Sequence, residues 1–204
     1  MPREALSQAQ VDDFRQRTIE VATRLFATQG YEAVTMRAIG SAMGASPMTA
    51  YRYFENKAEI FGHVRAEVYV RFADSQLAGF ERSDQPLERL IHMHEAYLAF
   101  ALEDPNGYRI MFQLDQAGDD APRVQVAESG RAFGYLRDAV SMAVDAGYVI
   151  GEPLTVAHLL WAQVHGLVTL HMAGKLSHGR TLEALRNAPF VSISTPEQSQ
   201  VRKS

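Results

Sequence analysis

The 204-residue chain contains no cysteine. That excludes a disulfide framework and a thiolate site, and it suits a reducing, cytoplasmic setting. Positive charge is not in excess either. Twenty Lys and Arg against 24 Asp and Glu leave a formal net charge of -4, so the chain as a whole is not a polycation. The opening residues, MPREALSQAQVDDF, lack the apolar core of a signal peptide, which argues against secretion. No segment sustains the alternating pattern of β-strands. The most apolar stretch, LTVAHLLWAQVHGLVTLHM from Leu154 to Met172, is interrupted by His158, Gln163, His165 and His171 and holds no unbroken run of membrane length. Gly-x-Ser-x-Gly, phosphate-loop and dinucleotide glycine patterns are also missing, so an enzyme has no support in the sequence and no cofactor is expected.

What is present is helical periodicity. Val11, Phe14, Thr18, Ala22, Leu25 and Phe26 recur at steps of three and four before a stop at Gly30. Ile60, Phe61, Val64, Val68 and Phe72 do the same after Asn56. Leu87, Leu90, Ile91, His94, Leu98 and Ala101 make a further helix, and Pro105 opens a short one through Leu114. Val126, Phe133, Leu136, Val140 and Val144 mark another, ending at Gly147. The pattern predicts an all-α chain of about nine helices. The Leu154–Met172 helix is apolar on almost every face, which predicts burial on two sides, one of them against a second subunit.

The run TMRAIGSAMGASPMTAYRYFENK, Thr35 to Lys57, carries the densest punctuation. Thr35 is a good N-cap for a short helix with Met36, Ile39 and Met43 inward, ended by Gly44. Ser46 caps the next, Pro47 takes its first position, and the helix is expected through Phe54. Asn56 caps a third, with Glu59 placed for a capping box. Two short helices around a glycine-containing turn form a helix-turn-helix pattern. Ala50 and Phe54 are the core residues of the second helix, and its other side chains suit a groove.

These residues resemble the N-terminal domain of the tetracycline-repressor (TetR) family over roughly residues 12 to 72. The matching elements are Leu25-Phe26, Gly30-Tyr31, Thr35-Met36-Arg37, Ile39, Gly44, Ser46, Tyr51, Tyr53-Phe54 and Lys57. The remainder is similar to a C-terminal type of that family named for a Trp-His-Gly signature, through Trp161, His165, Gly166 and the preceding DPNGYRIMFQ. The match departs at positions 45 and 50, where alanines replace the usual valine and leucine. Met36, Met43 and Met48 are expected to fill the space they leave.

The resemblance implies a division into a tail (1–10), a DNA-binding domain (11–72, motif 35–54), a regulatory and dimerisation domain (73–190) and a polar C-terminal tail (191–204). It also implies a homodimeric transcription regulator, a repressor released from a near-palindromic double-stranded operator by a small hydrophobic or amphipathic effector. The alternative is a small-molecule binding module with a vestigial helix-turn-helix. Thr35 and Met36 would then present a helix N-terminus to phosphate. Arg37 would read guanine, while Pro47, Met48 and Tyr51 would touch base edges. Ser46, Thr49, Arg52, Tyr53 and Lys57 would complete the interface, mostly on the backbone. Met93, Tyr97, Phe100, Tyr108, Met111, Phe112, Phe133 and Trp161 offer a mixed lining for the effector. Trp161, His165 and Gly166 fall where two subunits would meet, beside a helix expected from Thr181 to Asn187. The seven histidines hold no HExxH pattern, so no metal is expected.

Overall fold

The computed structural model describes residues 7–46, 48–112 and 123–186. Among these residues it has eight α-helices, one 3-10 turn and no strand, which is the all-α class read from the periodicity. They are α1 (Gln8–Gln29), α2 (Met36–Ala42), the 3-10 turn Ala50–Arg52, α3 (Lys57–Glu81), α4 (Pro86–Glu103), α5 (Pro105–Phe112), α6 (Arg123–Asp145), α7 (Pro153–Met172) and α8 (Leu182–Leu185). The chain forms two compact units. One comprises Met1–Val70 with Asp104–Glu128, the other Arg71–Glu103 with Ser129–Ser204. The 25-residue α3 contributes its first half to one unit and its second half to the other.

The first unit is built on α1, which packs against α2 and α5. Its core gathers Ile19, Ala22, Phe26, Val34, Ile39, Ala50, Phe54, Ile60, Phe61 and Val64. The α5 segment returns to this unit because Tyr108, Ile110 and Met111 are buried and Arg65 donates to the Met111 carbonyl at 3.2 Å. Phe112 completes the joint against Tyr69, ring centroids 6.3 Å apart. Arg15 of α1 fastens the motif from behind. Its guanidinium donates to the Tyr53 carbonyl and to Glu59 Oε1 (3.2 Å), and lies 4.2 Å over the Phe54 ring.

Local chemistry sets the helix ends. The Thr35 hydroxyl accepts from the Ala38 N–H at 3.1 Å. Gly44 sits at φ +67°, with its N–H on the Ser41 carbonyl and that of Ala45 on the Gly40 carbonyl, a Schellman closure that favours glycine. Asn56 Oδ1 accepts from the Glu59 N–H at 2.9 Å, as expected of a cap. The Glu59 carboxylate, however, accepts from the Glu55 N–H at 2.6 Å, one residue before the N-cap, so the expected reciprocal box is displaced by one.

Two expectations about the motif need correction. Its second half is a 3-10 turn over Ala50–Arg52, not a helix through Phe54. The Arg52 N–H bonds the Thr49 carbonyl and the Tyr53 N–H bonds the Ala50 carbonyl, both at 3.1 Å. Thr49, Tyr51, Tyr53 and Phe54 are poor helix formers, and the short stretch between the Gly44 turn and the Asn56 cap closes as one tight turn. Met48 is 67% exposed and fills no gap behind Ala50. Met36 and Met43 remain for that role: Met36 is buried, and Met43 Sδ accepts from the buried Thr18 hydroxyl at 3.1 Å. Pro47 lies outside the described residues.

In the second unit, α4 buries Arg89, Met93, Tyr97, Phe100 and Ala101 at steps of three and four. Val140, Ala143, Val149, Val156 and Ala157 form a core with Leu90, Phe133, Leu136 and Leu160 packed against it. Ile91, expected inward, is exposed, as is Val126 of the first unit. Glu152 starts α7: its carboxylate accepts from the Thr155 hydroxyl (2.6 Å) and from the N–H groups of Leu154 (2.8 Å) and Thr155 (2.7 Å), which hold its pKa below the usual carboxylate range, and Pro153 follows at the first helical turn. The helix expected from Thr181 to Asn187 spans Leu182–Leu185, and Asn187 is outside the described residues.

Candidate functional site

With the motif's core side chains and caps accounted for, a few residues are left facing solvent. Arg37, Met48, Tyr51 and Arg52 are exposed, together with Thr35 and Ser46. Tyr51 is 51% exposed, an unusual position for a large aromatic unless something covers it. Arg37 and Arg52 make no hydrogen bond or ion pair among the described residues, so both guanidinium groups keep all their donors. The Ser46 hydroxyl accepts from the Met48 N–H at 3.3 Å, which orders the approach to the 3-10 turn. Two cations, one long thioether and one phenol thus stand on one short segment pair, and among the described residues no hydrogen bond or ion pair engages the two cations.

Other residues implied by the resemblance are more committed. Met36 is buried, so its side chain does not reach the surface. Thr49 is half-buried, as is Tyr53, whose ring packs on Phe14 with centroids 4.3 Å apart. The Lys57 ammonium donates to the Tyr31 carbonyl at 2.7 Å and lies 4.0 Å over the Tyr31 ring. It therefore ties the start of α3 to the loop after α1. Arg15, which holds Tyr53 and Glu59 in place, was not singled out in the sequence. Its partners lie 38 and 44 residues away, and no local pattern encodes such a contact.

The eight residues proposed to line an effector site divide between the two units. Tyr108, Met111 and Phe112 belong to the first, where the Tyr108 and Phe112 rings are 4.9 Å apart. Met93, Tyr97, Phe100, Phe133 and Trp161 belong to the second. There the Tyr97 ring meets Phe72 edge-on at 5.2 Å, and its hydroxyl is 3.2 Å from His165 Nδ1. Phe133 contacts both His158 (4.6 Å) and Trp161 (6.0 Å). Of the three residues expected between subunits, His165 and Trp161 thus turn toward α4 and α6 of their own unit. Gly166 points elsewhere: a Cβ built on it meets nothing within 4 Å. Leu159, Ala162 and Leu170 are exposed at helical spacing around it.

Arg89 is a buried cation that the sequence did not flag. Its guanidinium lies 4.1 Å over the Phe80 ring and donates to the Ser83 carbonyl (2.9 Å), Asp84 (3.1 Å) and Met142 Sδ (2.8 Å). Among the described residues no three His, Cys, Asp or Glu side chains are grouped to hold a metal ion, and no helix is long and apolar enough to cross a membrane.

Two histidines of this unit respond to acid in the same sense. Burial pushes the imidazoles of His94 and His165 below their ordinary 6.5. The folded state then binds fewer protons than the unfolded chain between the lowered values and 6.5, so stability must fall as pH falls through that window. A thermal midpoint that drops on going from pH 7.5 to 5.5, and drops less in His94→Gln/His165→Gln, is the expected result.

Residues 19–64 match the family model described as bacterial regulatory proteins, tetR family. Residues 90–188 match the one described as tetracyclin repressor-like, C-terminal domain. The chain belongs to the TetR family. The HTH-type transcriptional activator FasR of Mycolicibacterium smegmatis is 27% identical over 119 residues, which cover 56% of this chain and 52% of that protein; the match spans about half of the relative's length. A TetR family regulator from Marinobacter aquaeolei VT8 superposes with a TM-score of 0.67 at 23% identity, covering 90% of this chain and 97% of that one. FadR of Bacillus subtilis, solved in complex with stearoyl-CoA, gives a TM-score of 0.70 at 17% identity, covering 85% and 94%. At these identities the structural likeness is one of fold.

Proposed function

We propose that this TetR-family protein is a cytoplasmic homodimeric repressor that binds a near-palindromic operator and is released by a small hydrophobic or amphipathic effector held in its second unit. One observation carries the DNA-binding half: among the described residues Arg37 and Arg52 keep all their donors, beside exposed Met48 and Tyr51, on a motif that Arg15, Gly44 and Lys57 hold from behind. A guanidinium with a free fork is suited to guanine O6 and N7, and exposed apolar side chains suit thymine methyls. Arg52 serves the phosphates, which add affinity without sequence preference.

Dimerisation is supported by the strip Leu159, Ala162, Gly166 and Leu170 on α7. Three exposed apolar residues around a glycine with open space above it allow two helices to approach closely across a two-fold axis. Two motifs related by that axis would enter successive major grooves. The effector half draws on the aromatic cluster around Tyr97, on the family assignment, and on a neighbour of like fold that holds stearoyl-CoA. The helix α3, which begins at Lys57 beside the motif and ends in the second unit, is the natural lever.

The test is fluorescence anisotropy with the DNA upstream of the protein's own gene, against random duplex of equal length at moderate salt. A preference of at least about a hundredfold is expected of a specific binder. Any compound that weakens operator binding must itself bind more weakly to the operator complex, by the same factor. Equal affinity for both duplexes would remove the regulator reading, and an effector-induced loss without that reciprocity would remove the release mechanism.

A further inference from the structure

Gln76 is an anomaly in the second unit. It is 5% exposed, and its Nε2 amide has no hydrogen-bond partner among the described residues. A glutamine inside a protein ordinarily satisfies its amide, because an unmade bond there is costly. Its place on α3 is well defined. One turn earlier, Phe72 meets Tyr97 and Phe100 edge-on, each at 5.2 Å. One turn later, a Cβ built on Gly79 would stand 3.0 Å from Ala96 Cβ and 3.1 Å from Met93 Cα. Positions 72, 76 and 79 share one helical face, so Gln76 falls on the face that meets α4, at the level of Met93 and Tyr97.

Among the described residues nothing accepts from that amide. Tyr97 points its hydroxyl at His165 of α7, and along the same α7 stripe Thr169 Oγ1 is a second buried polar atom without a partner. Trp161, one turn before His165, is 37% exposed with its ring 6.5 Å from the imidazole, so the Tyr97–His165–Trp161 cluster reaches solvent. Among the described residues Arg89 is the one buried charged side chain of this unit, and its guanidinium is already spent on Phe80, Ser83, Asp84 and Met142. The deep end therefore offers a neutral donor and no charge.

We propose that Gln76 determines the effector class: its amide N–H donates to the oxygen of an uncharged carbonyl in a molecule whose remaining surface is apolar and packs against Met93, Tyr97 and Trp161. This rests on the reading that the effector binds in the second unit, and it narrows that reading to neutral ketones, esters, lactones or thioesters. A carboxylate in the same place would lose its hydration with no cation to compensate. A hydrocarbon of the same shape would leave the amide unpaired, whereas a carbonyl compound satisfies it.

Three probes of nearly equal size separate these cases: butyrophenone, butylbenzene and 4-phenylbutyrate, titrated calorimetrically into the full-length protein at pH 7.5. Butyrophenone is expected to bind on the order of tenfold or more tighter than either of the others. In Gln76→Met, which keeps the length and removes the donor, the ketone and the hydrocarbon should bind within about twofold of each other, with hydrocarbon affinity retained. In wild-type protein, butyrophenone should also shift the Gln76 side-chain amide resonance downfield, assigned there by through-bond connectivity to its own backbone; this reads the contact even if the variant folds poorly. Equal binding of ketone and hydrocarbon to wild type, a preference that survives in Gln76→Met, or no saturable binding of either probe would overturn the assignment. Ketone-selective binding that leaves operator affinity unchanged would instead fault the release mechanism while leaving Gln76 in its role.

Discussion

Gly166→Trp is expected to yield a folded monomer that no longer binds the operator. Glycine in the middle of a helix costs about 1 kcal/mol relative to alanine, so its presence in α7 calls for a reason. Inside the protomer there is none: a side chain at 166 would meet open space. The buried face of α7, formed by Val156, Ala157, Val164, Leu167 and Val168, lies away from it, and an indole there should leave the protomer's core intact. Across a two-fold axis the same indole would separate the helices and expose Leu159, Ala162 and Leu170 to water. A half-site bound alone keeps only half the contacts, and operator affinity should fall by several orders of magnitude at moderate salt. Light scattering and operator titration on one preparation read both effects. A variant that stays dimeric would take Gly166 out of the interface while leaving the dimer; wild-type protein that is monomeric at micromolar concentration would refute the arrangement.

Arg37→Ala should cost about 1–3 kcal/mol of operator affinity and relax the preference at one base per half-site. The substitution is clean, because Arg37 is exposed and makes no hydrogen bond or ion pair among the described residues. Arg52→Ala is the matched control: a phosphate contact should weaken all sequences alike and lower the salt slope by about one unit per site. Operator variants scanned base by base separate the two. If Arg37→Ala weakened every duplex equally, Arg37 would be a phosphate ligand and another residue would have to read the sequence. Lys57→Ala is less informative, since its bond to the Tyr31 carbonyl makes stability and DNA contact fall together.

Much of the fold could be read from the sequence because helix ends are encoded locally. Thr35, Gly44 and Asn56 act within four residues of themselves, and each does what its side chain or backbone predicts. Long helices were equally legible, since their periodic faces average over many positions. The 3-10 turn at Ala50–Arg52 was not, because helix against turn in so short a segment depends on how the flanking caps fit together. The return of α5 to the first unit was hidden for a different reason. A buried Tyr108 or Met111 looks the same in sequence whichever core receives it. Arg15, Gln76 and Arg89 escaped because each is polar residue type on a helix, where a solvated position is the ordinary expectation. Their significance lies wholly in partners, or the lack of one, supplied by distant segments. For the candidate DNA interface, the sequence named the segment, and the structure separated the exposed Arg37, Met48, Tyr51 and Arg52 from the buried Met36 and the anchored Lys57.

The most direct test of two-fold, sequence-specific DNA recognition is selection of binding sites by the purified protein from a random duplex library. The expected product is an inverted repeat with a guanine in each half-site that Arg37→Ala no longer selects. Enrichment of unrelated sequences without a common motif, or of a single asymmetric site, would contradict a homodimer that reads its operator through the residues 35 to 54.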